Sequence, residues 1–241
     1  MLVLVLLFAL ALLAGVLGGV VGTGSSMVLL PALVLCYGPR AAVPVMAVAA
    51  VMGNVGRVVA WWGRIAWPPV VAYALPGIPA AMLGAHTLLT IPPRVVDGCL
   101  AAFFVATIPL RRLAARRRWR LRLWHLAAAG AGVGFLTGMV LSTGPLSVPV
   151  FTGYGLTGGA FLGSEAASAL LLYASKLATF GDAGVLGTDV LTKGVVIGGA
   201  LLVGSFLARR ILRNVSGRRY DLLIDVVLVV AAAGLAVSAV R

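Results

Sequence analysis

The sequence predicts an all-α polytopic membrane protein, an inverted repeat of two halves with broken, re-entrant helices meeting at a central site. Three observations predict it. The 241 residues are 61% hydrophobic and 10% charged, with a mean hydropathy of +1.10, more apolar surface than one water-soluble domain of this length can bury. Apolar stretches of the roughly 20 residues needed to span a bilayer core recur from end to end. A short motif also occurs twice, as Gly24-Ser25-Ser26-Met27-Val28-Leu29-Leu30-Pro31 and as Ser142-Thr143-Gly144-Pro145-Leu146-Ser147-Val148-Pro149. Each copy interrupts apolar sequence, and backbone broken at membrane depth is tolerated only where protein or a watery cavity satisfies it.

Taken in order, spans are expected near 1–22, 41–61, 67–90, 95–110, 124–141, 158–180, 190–208 and 220–240, with short helical pieces at 25–37 and 145–155. Met1 to Ala14 has no basic residues ahead of its apolar run and leads into Gly-rich sequence without a cleavage site, so it reads as the first span and not as a signal peptide. The halves divide as 1–122 and 123–241, with 111–122 as an Arg-rich linker. Further echoes join them: Gly15 and Gly19 with Gly134 and Gly138, Gly38 with Gly155, and Arg57 with Lys176. The two GxxxG pairs taken singly mark close helix packing.

The net charge of +13 is concentrated in two places. Arg111, Arg112, Arg116, Arg117, Arg118, Arg120 and Arg122 crowd one loop, and Arg209, Arg210, Arg213, Arg218 and Arg219 another. With no aromatic stacking pattern and no separate binding domain, these runs do not predict nucleic-acid binding. Short Arg-rich loops stay cytoplasmic, where they also meet anionic lipid, so 111–122 and 209–219 are placed inside a bacterial-type plasma (inner) membrane. Counting crossings then puts 91–97, which holds Arg94 and Asp97, outside, together with 181–193 and both chain ends. Loop 91–97 is the first-half counterpart of 209–219, so equivalent loops fall on opposite faces. That is the mark of an inverted repeat.

The site is expected where the half-helices begin. A helix start inside the membrane leaves its first N–H groups unpaired and carries partial positive charge, a cradle for an anion. Gly24, Ser25, Ser26, Ser142, Thr143 and Gly144 stand at those starts: glycine admits close backbone approach, and hydroxyls cap the helix or donate to bound oxygens. Pro145 suits a first helical turn, where its missing N–H is no loss. Ionisable residues inside spans are costly and therefore informative. Glu165 and Lys176, eleven positions apart, share one helix face. Lys176 and Arg57 are candidates to attract the anion, or alternatively to snorkel to the interface. Asn54, one turn before Arg57, is a further polar candidate, with an interhelical hydrogen bond as the competing explanation. Glu165 is the proton-coupling candidate, or a carboxylate satisfied by Ser164 or Ser168.

The remaining chemistry-bearing residues read as structural. His86 and His125 have no partner at metal-ligand spacing, so no metal and no cofactor is expected. Cys36 and Cys99 read as packing residues. Trp61, Trp62, Trp67, Trp119 and Trp124 gather at span ends as an interfacial belt. There is no GxxxxGK[ST] motif, which argues against ATP hydrolysis.

On these residues the chain resembles the sulfite exporter TauE/SafE family of membrane permeases. The resemblance runs through GVLGGVVGTGSSMVLLPAL and WWGRI in the first half, and through GVGFLTGMVLSTGPLSVPVF and GSEAASALLLYASKLATFGDAGVL in the second. It implies transport of small sulfur-containing anions such as sulfite or organosulfonates, or of related organic anions. In the second half it implies an acidic residue and a Lys on the helix after the motif, here Glu165 and Lys176. The family's glycine stretches are partly replaced by Ser25, Ser26, Ser142 and Thr143, which changes both the room and the donors offered to an anion.

The expected function is therefore that of a secondary transporter and exporter of such anions, proton-coupled through Glu165, and not that of an enzyme. Its partners are the small anion and membrane lipid, with a homodimer among the assemblies open to it. Three alternatives stand beside it: a carrier of carboxylates or other organic anions, a passive anion channel, and an intramembrane serine hydrolase built on Gly22-Thr23-Gly24-Ser25. The hydrolase lacks an oriented base and gives no reason for a second copy of the motif.

Overall fold

The structure is a computed structural model that describes residues 2–22, 25–91, 121–139 and 144–212. The described residues are helical apart from short turns. The expected spans 95–110 and 220–240 lie outside them, as do Cys99, Trp119, loop 92–97 and nearly all of the two Arg-rich loops. The helices are α1 (Leu2–Val21), α2 (Ser25–Trp61), α3 (Trp67–Thr90), α4 (Leu123–Met139), α5 (Gly144–Gly153), α6 (Gly158–Asp182) and α7 (Thr188–Leu212), with a 3-10 turn at Trp62–Arg64. These bounds follow the expected spans closely. Among the described residues three stretches are long and apolar enough to cross a membrane, Ala41–Arg64, Trp67–Thr90 and Thr188–Arg210, while Leu4–Val20 and Leu123–Met139 are shorter apolar helices. Helix α6 has the length but not the hydropathy, because it carries Glu165, Lys176 and many small or hydroxylated residues.

Helix α2 is two helices end to end. Gly38 breaks it at φ 75° and ψ 159°, a backbone conformation open essentially to glycine alone, leaving a short leg at 25–37 and a long leg at 39–61. Its sequence counterpart Gly155, just past α5, also has positive φ, at 105°.

The chain forms two compact units, 1–60 with 186–241, and 61–185. In the first, α1 lies against α7. Gly15 and Gly19 face Leu201, Gly204, Ser205 and Ala208 so closely that a methyl on either glycine would collide with α7. The long leg of α2 covers another part of α7, with Gly194 and Gly198 against Val48, Ala49 and Met52.

In the second unit α4 lies against α3. Gly130, Gly134 and Gly138 meet the backbone of Tyr73, Gly77, Ala81 and Gly84. Both GxxxG pairs are thus contact seams, as small residues at helix interfaces in lipid generally are. The amide of Leu121, just before α4, donates to the carbonyl of Gly153 at the end of α5 (2.9 Å), closing α4 and α5 into a hairpin. At 1.5 Å per residue α5 rises about 15 Å and α4 about 25 Å, so α5 is the shorter arm. Phe151 fastens α5 to Tyr73 of α3, ring centroids 5.1 Å apart.

Polarity is distributed as for a protein solvated by lipid. Val5, Leu6 and Leu13 of α1 and Leu75 and Leu83 of α3 are all more than 60% exposed, whereas Asn54, Arg57, Glu165 and Lys176 are buried. Of the aromatic belt, Trp62, Trp67 and Trp124 are exposed, and Trp62 packs edge-on against Trp67 at 5.6 Å. Trp61 instead packs on Gly159 and Gly163 of α6. Cys36 is exposed on the short leg of α2 and is not the packing residue the sequence suggested.

Candidate functional site

In the first unit, α1 ends at Val21 and Gly22 turns out of the helix at φ 82°, its amide still bonded to the Gly18 carbonyl at 2.8 Å. Helix α2 starts at Ser25, beside Gly18, where the missing side chain leaves room for the serine. Ser25 and Ser26 are half-buried, and Gly24 lies outside the described residues. The long leg of α2 returns Asn54 and Arg57 to this junction. Arg57 Nη1 donates to the Gly22 carbonyl, and Arg57 Nη2 donates to Asn54 Oδ1. Asn54 Nδ2 donates to the Ala50 carbonyl of its own helix (2.8 Å), so its bonds are local and not to another helix.

In the second unit, α4 ends at Met139 and α5 begins at Gly144, with Pro145 in its first turn. Ser142 and Thr143 lie outside the described residues. Ser147 Oγ stands 2.9 Å from the Gly144 carbonyl and 2.9 Å from Glu165 Oε1. Glu165 is 3% exposed. The serines beside it in sequence are engaged elsewhere: Ser164 Oγ accepts from the Ala66 amide (2.8 Å) and Ser168 Oγ donates to the Ser164 carbonyl (3.0 Å). Among the described residues, the serine hydroxyl that meets Glu165 is that of Ser147, and not that of Ser164 or Ser168. Tyr73 of α3 lies within electrostatic reach of the same carboxyl.

Lys176 is fully buried, so it does not snorkel; Nζ donates to the Thr137 carbonyl of α4 (3.0 Å) and lies 5.3 Å from the Phe180 ring centroid. Arg57, 8% exposed, does not snorkel either. Glu165 and Lys176 both fall on the buried face of α6, as their eleven-residue spacing required. His86 is exposed, and His125 accepts from the Arg122 amide (3.1 Å) and stacks on Trp124.

The described site residues thus divide between the units: Asn54 and Arg57 meet the Gly22 carbonyl in one, with Ser25 and Ser26 at the start of α2, and in the other Ser147 links Gly144 to Glu165 while Lys176, eleven residues further along α6, meets the end of α4. Three residues that sequence reasoning passed over belong with them. Ser147 stands within the quoted motif, three residues after its glycine, where a first-turn hydroxyl faces the next element. Thr137 lies inside the GxxxG pair but acts through its carbonyl, which no sequence signal marks. Tyr73 has no signal in its own helix. Chemically, each unit offers a helix start and a buried cation bonded at the end of the helix before it, and the second adds a buried carboxyl.

No curated protein and no solved structure matches the chain. The family model described as sulfite exporter TauE/SafE matches residues 7–235. That match takes in both helix junctions and the site residues of both units, and the chain belongs to the sulfite exporter TauE/SafE family.

Proposed function

We propose that the chain is a secondary carrier that exports small sulfur-containing anions, sulfite or organosulfonates, across a bacterial-type inner membrane, with protons as the coupling ion. The observation that carries this reading is the buried cation at the end of the helix entering each junction, Arg57 on the Gly22 carbonyl just past α1 and Lys176 on the Thr137 carbonyl in the last turn of α4. In this reading Gly24, Ser25, Ser26, Ser142, Thr143 and Gly144 hold the anion oxygens through N–H and hydroxyl donors, and the cations supply compensating charge. The halves 1–122 and 123–241 act as inverted repeats whose rocking exposes the site alternately. Three pairings support that: both GxxxG pairs are seams, Gly38 and Gly155 both have positive φ, and Arg57 and Lys176 both reach a carbonyl at a helix end.

Glu165 carries the coupled proton. A hydroxyl has one proton to give, and Ser147 has two acceptors at equal distance. With Glu165 ionised, Ser147 donates to the carboxylate. With Glu165 neutral, the carboxyl donates to Ser147, which then donates to the Gly144 carbonyl. Protonation is passed in this way to the first turn of α5. Tyr73 of α3 is a titratable group within electrostatic reach of Glu165, and α5 carries none.

The test is flux into proteoliposomes of purified protein, comparing sulfite, thiosulfate and sulfoacetate with simple carboxylates. Saturable flux of the sulfur anions, accelerated by a pH gradient, is expected. Flux of carboxylates alone overturns the substrate class, and non-saturating conductance makes the protein a channel.

A further inference from the structure

The helices that lead into the two junctions end in a way that water would normally repair. The last four carbonyls of an α-helix have no intrahelical partner, and that end carries partial negative charge. At membrane depth solvent is not there to pair them. Helix α1 stops at Val21, and the next carbonyl, that of Gly22, receives Arg57 from 35 residues further along the chain. Helix α4 stops at Met139, and the carbonyl of Thr137, in its last turn, receives Lys176 from 39 residues further along. Neither cation lies on the helix it serves. Each comes from the long helix that follows the short one, the second leg of α2 in one unit and α6 in the other.

Two opposite poles follow one another along the chain at such a junction. The incoming helix presents its negative end and the outgoing short helix its positive start, and left alone they would largely cancel for an anion placed between them. A cation bonded to the incoming carbonyls removes the negative pole without occupying the outgoing N–H groups. We propose that Arg57 and Lys176 are positioning residues: each caps the carbonyl end of the helix entering its junction, fixes that end, and leaves the positive start of the next helix unopposed. Asn54 holds the Arg57 guanidinium in place for this by accepting from its second nitrogen. The electrostatic consequence for an anion rests on the carrier reading, whereas the capping role does not.

The capping role is tested without any substrate, by hydrogen exchange of the purified protein in nanodiscs. Lys176→Met keeps the bulk and loses the donor, and Lys176→Gln keeps a donor without the charge; Arg57→Met and Arg57→Gln are the first-half equivalents. Amide exchange in peptides covering 134–150 is expected to rise about 10-fold in Lys176→Met and to stay near the parent in Lys176→Gln, with 13–30 unaffected. The Arg57 pair should show the reverse pattern, with 13–30 deprotected and 134–150 unaffected. If a Met variant does not fold, Ser at the same position, too short to reach the carbonyl, replaces it. Parent-like exchange at both junctions in a Met or Ser variant overturns the proposal, as does a Gln variant that exchanges as fast as Met. Local deprotection in a protein that carries no sulfur anion would leave the capping role standing and sink the carrier reading alone.

Discussion

Glu165 is a carboxyl held among apolar helices by a serine from a different helix, and Ser147 has a second acceptor in the Gly144 carbonyl. One proton cannot serve two acceptors fully, so the charge state of Glu165 and the hydrogen bonding of the α5 start are linked. Glu165→Gln preserves size and hydrogen bonding but cannot ionise. It is expected to keep saturable anion exchange while losing acceleration by a pH gradient, measured as flux with and without an imposed gradient; unchanged acceleration would falsify the coupling role. Ser147→Ala leaves the carboxyl short of a buried partner, a cost of about 1–3 kcal/mol, and should lower the proton-linked rate more than Ser147→Thr, which restores the hydroxyl.

The seams at the scale of elements rest on missing side chains. An added Cβ at Gly138 would meet the Ala81 carbonyl and the Ala85 amide, and one at Gly134 the backbone of Gly77, so α3 and α4 would have to separate. Gly138→Leu is expected to destabilise the second unit by about 1–3 kcal/mol or more, since overpacking of this kind forces backbone to shift. Gly132, in the same helix, has nothing within 4 Å of a built Cβ. Gly132→Ala should therefore be neutral within about 0.5 kcal/mol, or slightly stabilising through helix propensity. Thermal unfolding in detergent compares the two, and equal losses would mean that the seam is not what holds α3 to α4.

On the scale of the whole molecule, the chain is interleaved: α7, from the second half of the sequence, completes the unit that holds α1 and α2, and α3, from the first half, completes the unit that holds α4, α5 and α6. The proposed opposed orientation of the two halves makes a prediction about sidedness. In a background lacking Cys36 and Cys99, cysteines at Ala114 and Ser216 should resist an impermeant thiol reagent in whole cells and react in inverted vesicles. A cysteine at Asp97 should show the opposite pattern. Equal sidedness at Asp97 and Ser216 would remove the inverted arrangement, because those loops are repeat counterparts.

The sequence alone determined the helices and their rough ends and the two junctions, and it named the residues proposed to act there. Hydropathy and helix punctuation are local properties, and lipid as solvent makes them strict: a span must be about 20 residues long, and Gly or Pro motifs must mark its interruptions. It also placed Glu165 and Lys176 on one face, because eleven residues is three whole turns to within about 20°. What each side chain touches was decided only by tertiary structure. Ser147 and not Ser164 or Ser168 meets Glu165, Lys176 turns inward to Thr137 and not outward to the interface, and α3 and α7 pack across the sequence halves. The physical reason is that apolar helices in lipid gain nothing from hydrophobicity by choosing one neighbour over another. Close backbone contact at glycines and the few available polar bonds make that choice, and both depend on the rotation and depth of whole helices.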